Sequence, residues 1–318
     1  MKILANDGIA PGGKQQLEAA GFEVITTKVA QEQLINYINE NKIDAVIVRS
    51  ATKVRKDLMD ACPTLKVIGR AGVGMDNIDV EYARSKGLKV FNTPAASSAS
   101  VAELVFAHLF GAVRFLHDAN RNMPLEGDSR FKELKKNYAG GRELRGKTLG
   151  IIGFGRIGQE VAKIGLGVGM NVIACSSSSE EKEVNVTLEF FNGQTVDLPV
   201  KKLPMEELIA EADFITLHIP SQKEPVIGKK EFEQMKDGVG IINAARGGVI
   251  DEVALIEALE DGKLSFAALD TFDNEPTPAL KVLMNGRVSL SPHIGAATNE
   301  AQERIGKELA DNLIDLLK

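Results

Sequence analysis

Three short segments hold residue types from which hydride-transfer chemistry on a hydroxy acid could be built. Asn243-Ala244-Ala245-Arg246-Gly247-Gly248 offers a guanidinium, Asp270-Thr271-Phe272-Asp273-Asn274-Glu275-Pro276 offers carboxylates, and Ser291-Pro292-His293-Ile294-Gly295-Ala296 offers an imidazole. Moving a hydride to or from a hydroxyl-bearing carbon needs a base for the hydroxyl proton, a cation for a substrate carboxylate and a group to orient the base. Arg246, Glu275 and His293 meet those needs, since a carboxylate partner favours a protonated imidazole and fixes its ring. Singly, each has a plainer reading: Arg246 as a surface ion-pair partner, Glu275 as a solvated loop acid, His293 as a satisfied core histidine. Their joint occurrence at three successive strand ends favours the chemical reading. His108 and His117 fall on an apolar helix and His218 ends a strand, so packing or backbone capping is expected of them.

The hydride itself would come from a bound nucleotide. Gly153-Phe154-Gly155-Arg156-Ile157-Gly158 follows the apolar run Leu149 to Ile152 and precedes the helical stretch Gln159 to Ile164. In a G-x-G-x-x-G turn of this kind, the first glycine allows the bend and the second lets a pyrophosphate approach. The third lets helix and strand pack, and the helix N-terminus supplies unpaired N–H groups. An ordinary glycine turn is the plainer alternative, but a second strand, Asn171 to Cys175, follows in register, so a dinucleotide site is expected. An acid about twenty residues on normally accepts the ribose hydroxyls. Here that strand ends Cys175-Ser176-Ser177-Ser178-Ser179, with no carboxylate before Glu180. Serines suit a free ribose or a 2'-phosphate, yet no arginine follows, and Lys182 is flanked by Glu181 and Glu183. NAD is the expected cofactor, with NADP possible.

These groups need a scaffold. The chain has 318 residues, 44% of them hydrophobic, enough for two domains of ordinary size. Apolar runs at Lys2 to Ala5, Glu23 to Thr26, Ala45 to Val48, Lys66 to Ile68 and Lys89 to Phe91 alternate with helical stretches, which predicts a parallel sheet covered on both faces. Ser97 to Ser100 then lead into an apolar helix expected over Val101 to Asn122, followed by a poorly periodic arm, Met123 to Glu143. A second parallel sheet is read through Leu149 to Ile152, Asn171 to Cys175, Phe214 to His218, Gly240 to Asn243, Phe266 to Leu269 and Val288 to Leu290. Val184 to Phe190 and Gln194 to Leu198 alternate around Asn192-Gly193, the signature of an inserted hairpin. Ile305, Leu309, Leu313 and Leu316 form one stripe of a last helix, Asn299 to Leu317, expected to return to the first domain.

A net charge of -6 offers no general attraction to nucleic acid or anionic membrane. Cys62 and Cys175 make neither a disulfide framework nor a metal site. No apolar run suggests a signal peptide or an anchor, so a soluble cytoplasmic protein with a small-molecule substrate is expected.

The chain resembles the D-2-hydroxyacid dehydrogenases over nearly its full length, most of all the short D-3-phosphoglycerate dehydrogenase type. The resemblance rests on Val48 to Val54, Gly69-Arg70-Ala71-Gly72-Val73-Gly74-Met75-Asp76-Asn77-Ile78-Asp79, Gly150 to Gly158, Asn243 to Asp251 and Ser291 to Thr298. It implies two doubly wound α/β domains. A Rossmann domain, 98–293, is inserted in a flavodoxin-like substrate domain, 1–97 completed by 294–318, with the active site in the cleft between them. It implies His293 as acid/base, Glu275 as its partner and Arg246 as the clamp on carboxylate and keto oxygen. Cofactor contacts are implied at Gly153, Gly155, Arg156, Ile157, Gly158, Ser176, Ile219, Ala244, Ala245, Arg246, Asp270, His293, Gly295 and Ala296. Substrate contacts are implied at Arg49, Ser50, Ala51, Arg70, Gly72, Val73 and Gly74, with Lys53 a further phosphate partner or an ordinary surface cation. The serine in place of the ribose acid and the hairpin both depart from the family pattern. Oxidation of 3-phospho-D-glycerate is the expected reaction. Glycerate or hydroxypyruvate reduction and erythronate-4-phosphate oxidation are the alternatives within the class. An NAD(H)-sensing corepressor is the alternative outside it. A homodimer through the Rossmann domain is expected, as is freedom from feedback through a C-terminal regulatory domain.

Overall fold

The computed structural model describes residues 1–176 and 182–317. The chain divides into two compact units, Met1–Ser100 with the segment from Ala296 onward, and Val101–Gly295. Each is built on one sheet.

The first unit holds β1 (Lys2–Ala5), β2 (Glu23–Ile25), β3 (Ala45–Val48), β4 (Val67–Arg70) and β5 (Lys89–Asn92), in the order β2-β1-β3-β4-β5. All pairings are parallel, the flavodoxin-like arrangement. The central strands β1, β3 and β4 are continuous apolar runs because both faces are buried, whereas the edge strands β2 and β5 are more exposed. Leu4, Val46, Val48 and Ile68 enter one layer with Leu34, Ile38 and Leu58. Ile3, Ala5, Ala45, Ile47 and Val67 enter the other with Leu17, Ile305, Leu309 and Leu313. Helix Asn299–Leu317 thus supplies part of this unit's core.

The second unit holds β6 (Thr148–Ile152), β7 (Asn171–Cys175), β8 (Glu183–Glu189), β9 (Thr195–Lys202), β10 (Phe214–Leu217), β11 (Val239–Asn243), β12 (Leu264–Leu269) and β13 (Val288–Leu290). The order is β13-β12-β11-β10-β6-β7-β9-β8. Within it, β9-β7-β6-β10-β11-β12 is the Rossmann order, and the strand sequence reverses between β6 and β10. Ile152, Ile215, Leu217, Ile241 and Leu269 pack on one face, Leu149, Ile151, Phe214, Ile242 and Phe266 on the other.

Three sequence expectations change. The helix read over Val101 to Asn122 is two, Ser98–Val113 and Leu116–Glu126, bent by 58°. Phe115 makes the break with φ 55° and sets its ring 6.1 Å from Tyr138. The supposed arm from Met123 contains a further helix, Phe131–Asn137. Periodicity missed it because Leu134 is its only buried residue. Polar contacts hold the region instead: Arg130 pairs with Glu126 and Glu133, and the Tyr138 hydroxyl donates to Asp118 at 2.8 Å. The hairpin is more than an appendage. Its second strand runs four residues past Leu198, and Lys201 and Lys202 pair in parallel with Ile173 and Ala174 of β7. Among the described residues no single helix is long and apolar enough to cross a membrane.

The tightest helix contact in the first unit lies between Pro11–Ala19 and Asn299–Leu317. A Cβ at Gly13 would stand 2.3 Å from the Gly306 carbonyl oxygen, whereas one at Gly12 would meet only the end of the Glu303 side chain. Gly13→Ala should therefore destabilise the protein by about 1–3 kcal/mol through overpacking, and Gly12→Ala should not. Calorimetric melting of the two variants checks this; equal melting temperatures would show that the helices can part.

Candidate active site

The glycine turn leaves β6 and starts helix Arg156–Gly167. Gly153 has φ 95°, and a Cβ there would fall 2.3 Å from the His218 carbonyl oxygen and 2.9 Å from Ile219 Cγ2. At Gly158 a Cβ would fall 2.3 Å from the Gly153 carbonyl oxygen. Gly155, the N-cap, is exposed and has nothing within 4 Å of that position. Gly153 and Gly158 are thus required by the protein's own packing, while the space over Gly155 is open. With exposed Arg156 and half-buried Ile157 opening the helix, this cradle fits a pyrophosphate. Ser176 sits half-buried just beyond β7, while Ser177, Ser178 and Ser179 lie outside the described residues.

At the end of β11, the buried Asn243 shapes the loop that carries Arg246. Its Nδ2 donates to the Arg246 carbonyl at 2.8 Å and its Oδ1 accepts the Ala245 N–H at 3.0 Å. Ala244 and Ala245 are buried, and the Arg246 guanidinium donates to the Ala245 carbonyl at 2.7 Å. This loop lies backbone to backbone on the one after β12, since a Cβ at Gly247 would fall 1.9 Å from the Phe272 carbonyl oxygen. Asp273 ties the two by accepting the Gly248 N–H at 2.6 Å, and Glu252 accepts the Asp273 N–H at 2.9 Å. Burial raises the Glu252 carboxyl above its ordinary value, and the Asp273 charge adds to that.

The third loop follows β13. His293 Nδ1 lies 2.8 Å from Glu275 Oε2, and Glu275 Oε1 accepts the Phe272 N–H at 3.0 Å. The histidine has φ 55°, a conformation that a residue with a Cβ holds only under restraint. Asp270 supplies that restraint. Its Oδ1 accepts the Ser291 hydroxyl at 2.5 Å and the Ile294 N–H at 2.8 Å, and its Oδ2 accepts the Gly295 N–H at 2.9 Å. A cavity of about 370 Å³, walled mainly by Phe272, Pro276, Pro278, Leu283, Leu290 and Pro292, adjoins the Glu275–His293 pair. His218 has a different character: its Nε2 sits 3.0 Å from Thr216 Oγ1, and burial pushes its pKa down to about 3.

The residues expected to meet substrate lie in the first unit, as does Ala296. Asp7 accepts the Arg49 N–H at 2.7 Å and the Thr52 hydroxyl at 2.8 Å, and Asn77 Nδ2 donates to the carbonyls of Arg49 and Thr52. Arg49, Ser50 and Ala51 line a hollow of about 340 Å³ together with Lys28 and Asp7. Arg70 folds its guanidinium over Gly72, where a Cβ would stand 1.7 Å from Nη1. The Gly72 N–H donates to the Thr93 hydroxyl, and Asn92 Nδ2 donates to the Val73 carbonyl, which holds the turn through Gly74. Lys53 is exposed, and its backbone pairs with Gln31. Asp7, Asn77, Asn243 and Asp273 were not singled out from sequence. Polar residues at the ends of apolar strands, as Asn243 is at the end of β11 and Asp7 is just beyond β1, are the available signal.

The sequence profile of the "D-isomer specific 2-hydroxyacid dehydrogenase, NAD binding domain" family matches residues 106–295. The chain is 43% identical over 297 residues to a hydroxypyruvate reductase of Thermotoga maritima, covering 92% of this chain and 90% of that one. It is 39% identical over 322 residues to a D-3-phosphoglycerate dehydrogenase of Archaeoglobus fulgidus, covering all of this chain but only 58% of that one. A glyoxylate reductase from Paecilomyes thermophila has a similar structure, with a TM-score of 0.82 and 30% identity over 98% of this chain and 93% of that one.

The contrast between glycines can be tested directly. Gly155→Ala should leave the melting temperature nearly unchanged and weaken NADH binding about tenfold or more, about 1.4 kcal/mol, read by quenching or transfer of nicotinamide fluorescence. Unchanged affinity would mean that no ligand approaches this turn.

Proposed function

Because the chain belongs to the D-isomer specific 2-hydroxyacid dehydrogenase family, we propose that it interconverts a D-2-hydroxy acid and its 2-keto acid with NAD. The favoured substrate is 3-phospho-D-glycerate, oxidised to 3-phosphohydroxypyruvate as the first step of serine biosynthesis. The observation that carries the reading is the 2.8 Å contact of His293 with Glu275 on a loop that Asp270 pins at its base.

The glycine turn, Arg156 and Ile157 would hold the pyrophosphate, and Ile219, Ala244, Ala245, Asp270 and Gly295 the nicotinamide half. Bound there, the cofactor would supply the acceptor or the donor of the hydride. Glu275 engages Nδ1 of His293, which leaves Nε2 to exchange a proton with the substrate oxygen. In reduction His293 gives that proton to the keto oxygen as it becomes a hydroxyl; in oxidation it takes the proton back. Arg246 supplies a fixed positive charge for the substrate carboxylate. Arg49, Arg70 and Lys28 supply cationic groups suited to a phosphate, which supports the phosphorylated substrate. Hydroxypyruvate reduction is the second reading, favoured by the 43% identity to a relative of nearly equal length.

A steady-state screen of 3-phosphohydroxypyruvate, hydroxypyruvate, glyoxylate and a four-carbon 2-keto acid with NADH and NADPH tests this. We expect turnover to be highest with the phosphorylated acid and NADH. His293→Asn should lower kcat by about two to four powers of ten with NADH binding kept. Tight NADH binding without turnover on any acid would favour the nucleotide-sensor reading instead.

We further propose a homodimer in the cytoplasm. Phe110, Leu116, Leu125 and Phe131 are exposed on the helices between Ser98 and Asn137, as are Leu280 and Met284 of the same unit. Large apolar side chains exposed on successive helices support a face that a second subunit covers. Light scattering at micromolar concentration should give twice the 34.3 kDa chain mass, and Leu125→Asp with Phe131→Asp should halve it. A monomeric wild type would end this reading.

A further inference from the structure

Behind the His293 loop, on the face of β13 that packs against helix Ser98–Val113, a polar chain crosses an otherwise apolar layer. His108 Nδ1 lies 2.8 Å from the Ser289 hydroxyl and Nε2 lies 2.8 Å from the Ser291 hydroxyl. Ser291 in turn donates to Asp270 at 2.5 Å. All four residues are buried, and Val105, Leu109 and Phe266 belong to the surrounding layer.

Counting protons fixes the direction of this chain. Ser291 has one hydroxyl proton, and a carboxylate can only accept, so that proton is spent on Asp270. His108 Nε2 can then meet Ser291 only as a donor. Burial, the dominant influence on this imidazole, lowers its pKa below the ordinary value, so the ring is neutral and Nδ1 is bare. Nδ1 therefore accepts from Ser289. Each hydrogen bond has one possible polarity, running Ser289 to His108 to Ser291 to Asp270.

Asp270 brackets His293, taking donors from the residue two before it and from the next two after it. Were the His108 tautomer reversed, Nε2 would draw the Ser291 proton away and Asp270 would lose a donor. The turn that holds His293 at positive φ would then loosen. Resting on the dehydrogenase reading above, we infer that His108 is a positioning residue for the acid/base loop, and that Ser289 acts as the lock on its tautomer. Neither touches the reacting groups. The pair orders the protons behind them.

The test uses the intact protein. With four histidines in the chain, 15N-labelled imidazoles can be assigned by single substitutions, and His108 should show the neutral Nε2–H form at pH 7. Ser289→Ala removes the lock without touching the loop. It should lower kcat about tenfold while substrate KM stays within about twofold, because Arg246 and the cofactor cradle are untouched. Ser289→Thr, which keeps the hydroxyl, should restore kcat, and NADH affinity should be equal in all three proteins. A wild-type kcat in Ser289→Ala, or an Nδ1–H or charged His108 in the wild type, would overturn the inference. A wild type without turnover on any 2-keto acid would overturn the dehydrogenase reading and the positioning role with it, while the nitrogen spectrum would still decide the proton order.

Discussion

A carboxylate can be kept inside a protein only if donors replace the water it has given up, and Asp270, 1% exposed, finds three of them in one five-residue loop. This exchange fixes where β12 and β13 deliver their side chains. It draws the amides of Ile294 and Gly295 inward and turns His293 outward at φ 55°, within reach of Glu275. The restraint on that backbone is distributed over three hydrogen bonds of ordinary length. The loop after β12 is held from its other side by the loop after β11, through Gly247 and Asp273. Arg246, Glu275 and His293 are thereby carried by loops that are bound to one another as well as to their strands.

Parallel topology makes this concentration possible. All strands from β6 to β13 except β8 point the same way, so their carboxyl ends share one edge of the sheet. Burial of both faces keeps the strands rigid while the loops beyond them stay free to carry polar groups. Two imidazoles within the apolar layers meet hydroxyl groups there, His218 beside Thr216 and His108 between two serines. Neither imidazole is placed to serve as an acid, because burial holds both below the ordinary histidine range.

Outside the hairpin, the strands of both sheets are legible in the sequence to within a residue or two, because a strand buried on both faces is an uninterrupted apolar run with little competing explanation. The helices were less so where packing is not their main support. Phe131–Asn137 carries ion pairs through Arg130, and the bend at Phe115 sets its ring beside Tyr138, a pairing that no local pattern announces. For the site, residue types at strand ends could be read, but their mutual geometry could not. Contacts such as Asp7 with Arg49, or Asn243 with Arg246, follow from how a turn closes in space. The hairpin is visible from Asn192-Gly193, but its full length is not, because Pro199 reads as a strand terminator although it pairs opposite Asn185 within an unbroken ladder.

That hairpin sets the outer limit of the second sheet. β9 pairs with β7 only at Ile173 and Ala174, through Lys201 and Lys202, and β8 then presents the final open edge. An open edge is a template for further strands, including those of another molecule. Along β8, Glu183, Asn185, Thr187 and Glu189 are exposed, while Val186 is sealed inside with Val200. Two carboxylates at the ends of the strand make stacking against a second copy of the same edge repulsive. The segment therefore terminates sheet growth, and shortening it to a bare loop would transfer the exposed edge to the more apolar β7, where aggregation during folding has less to oppose it.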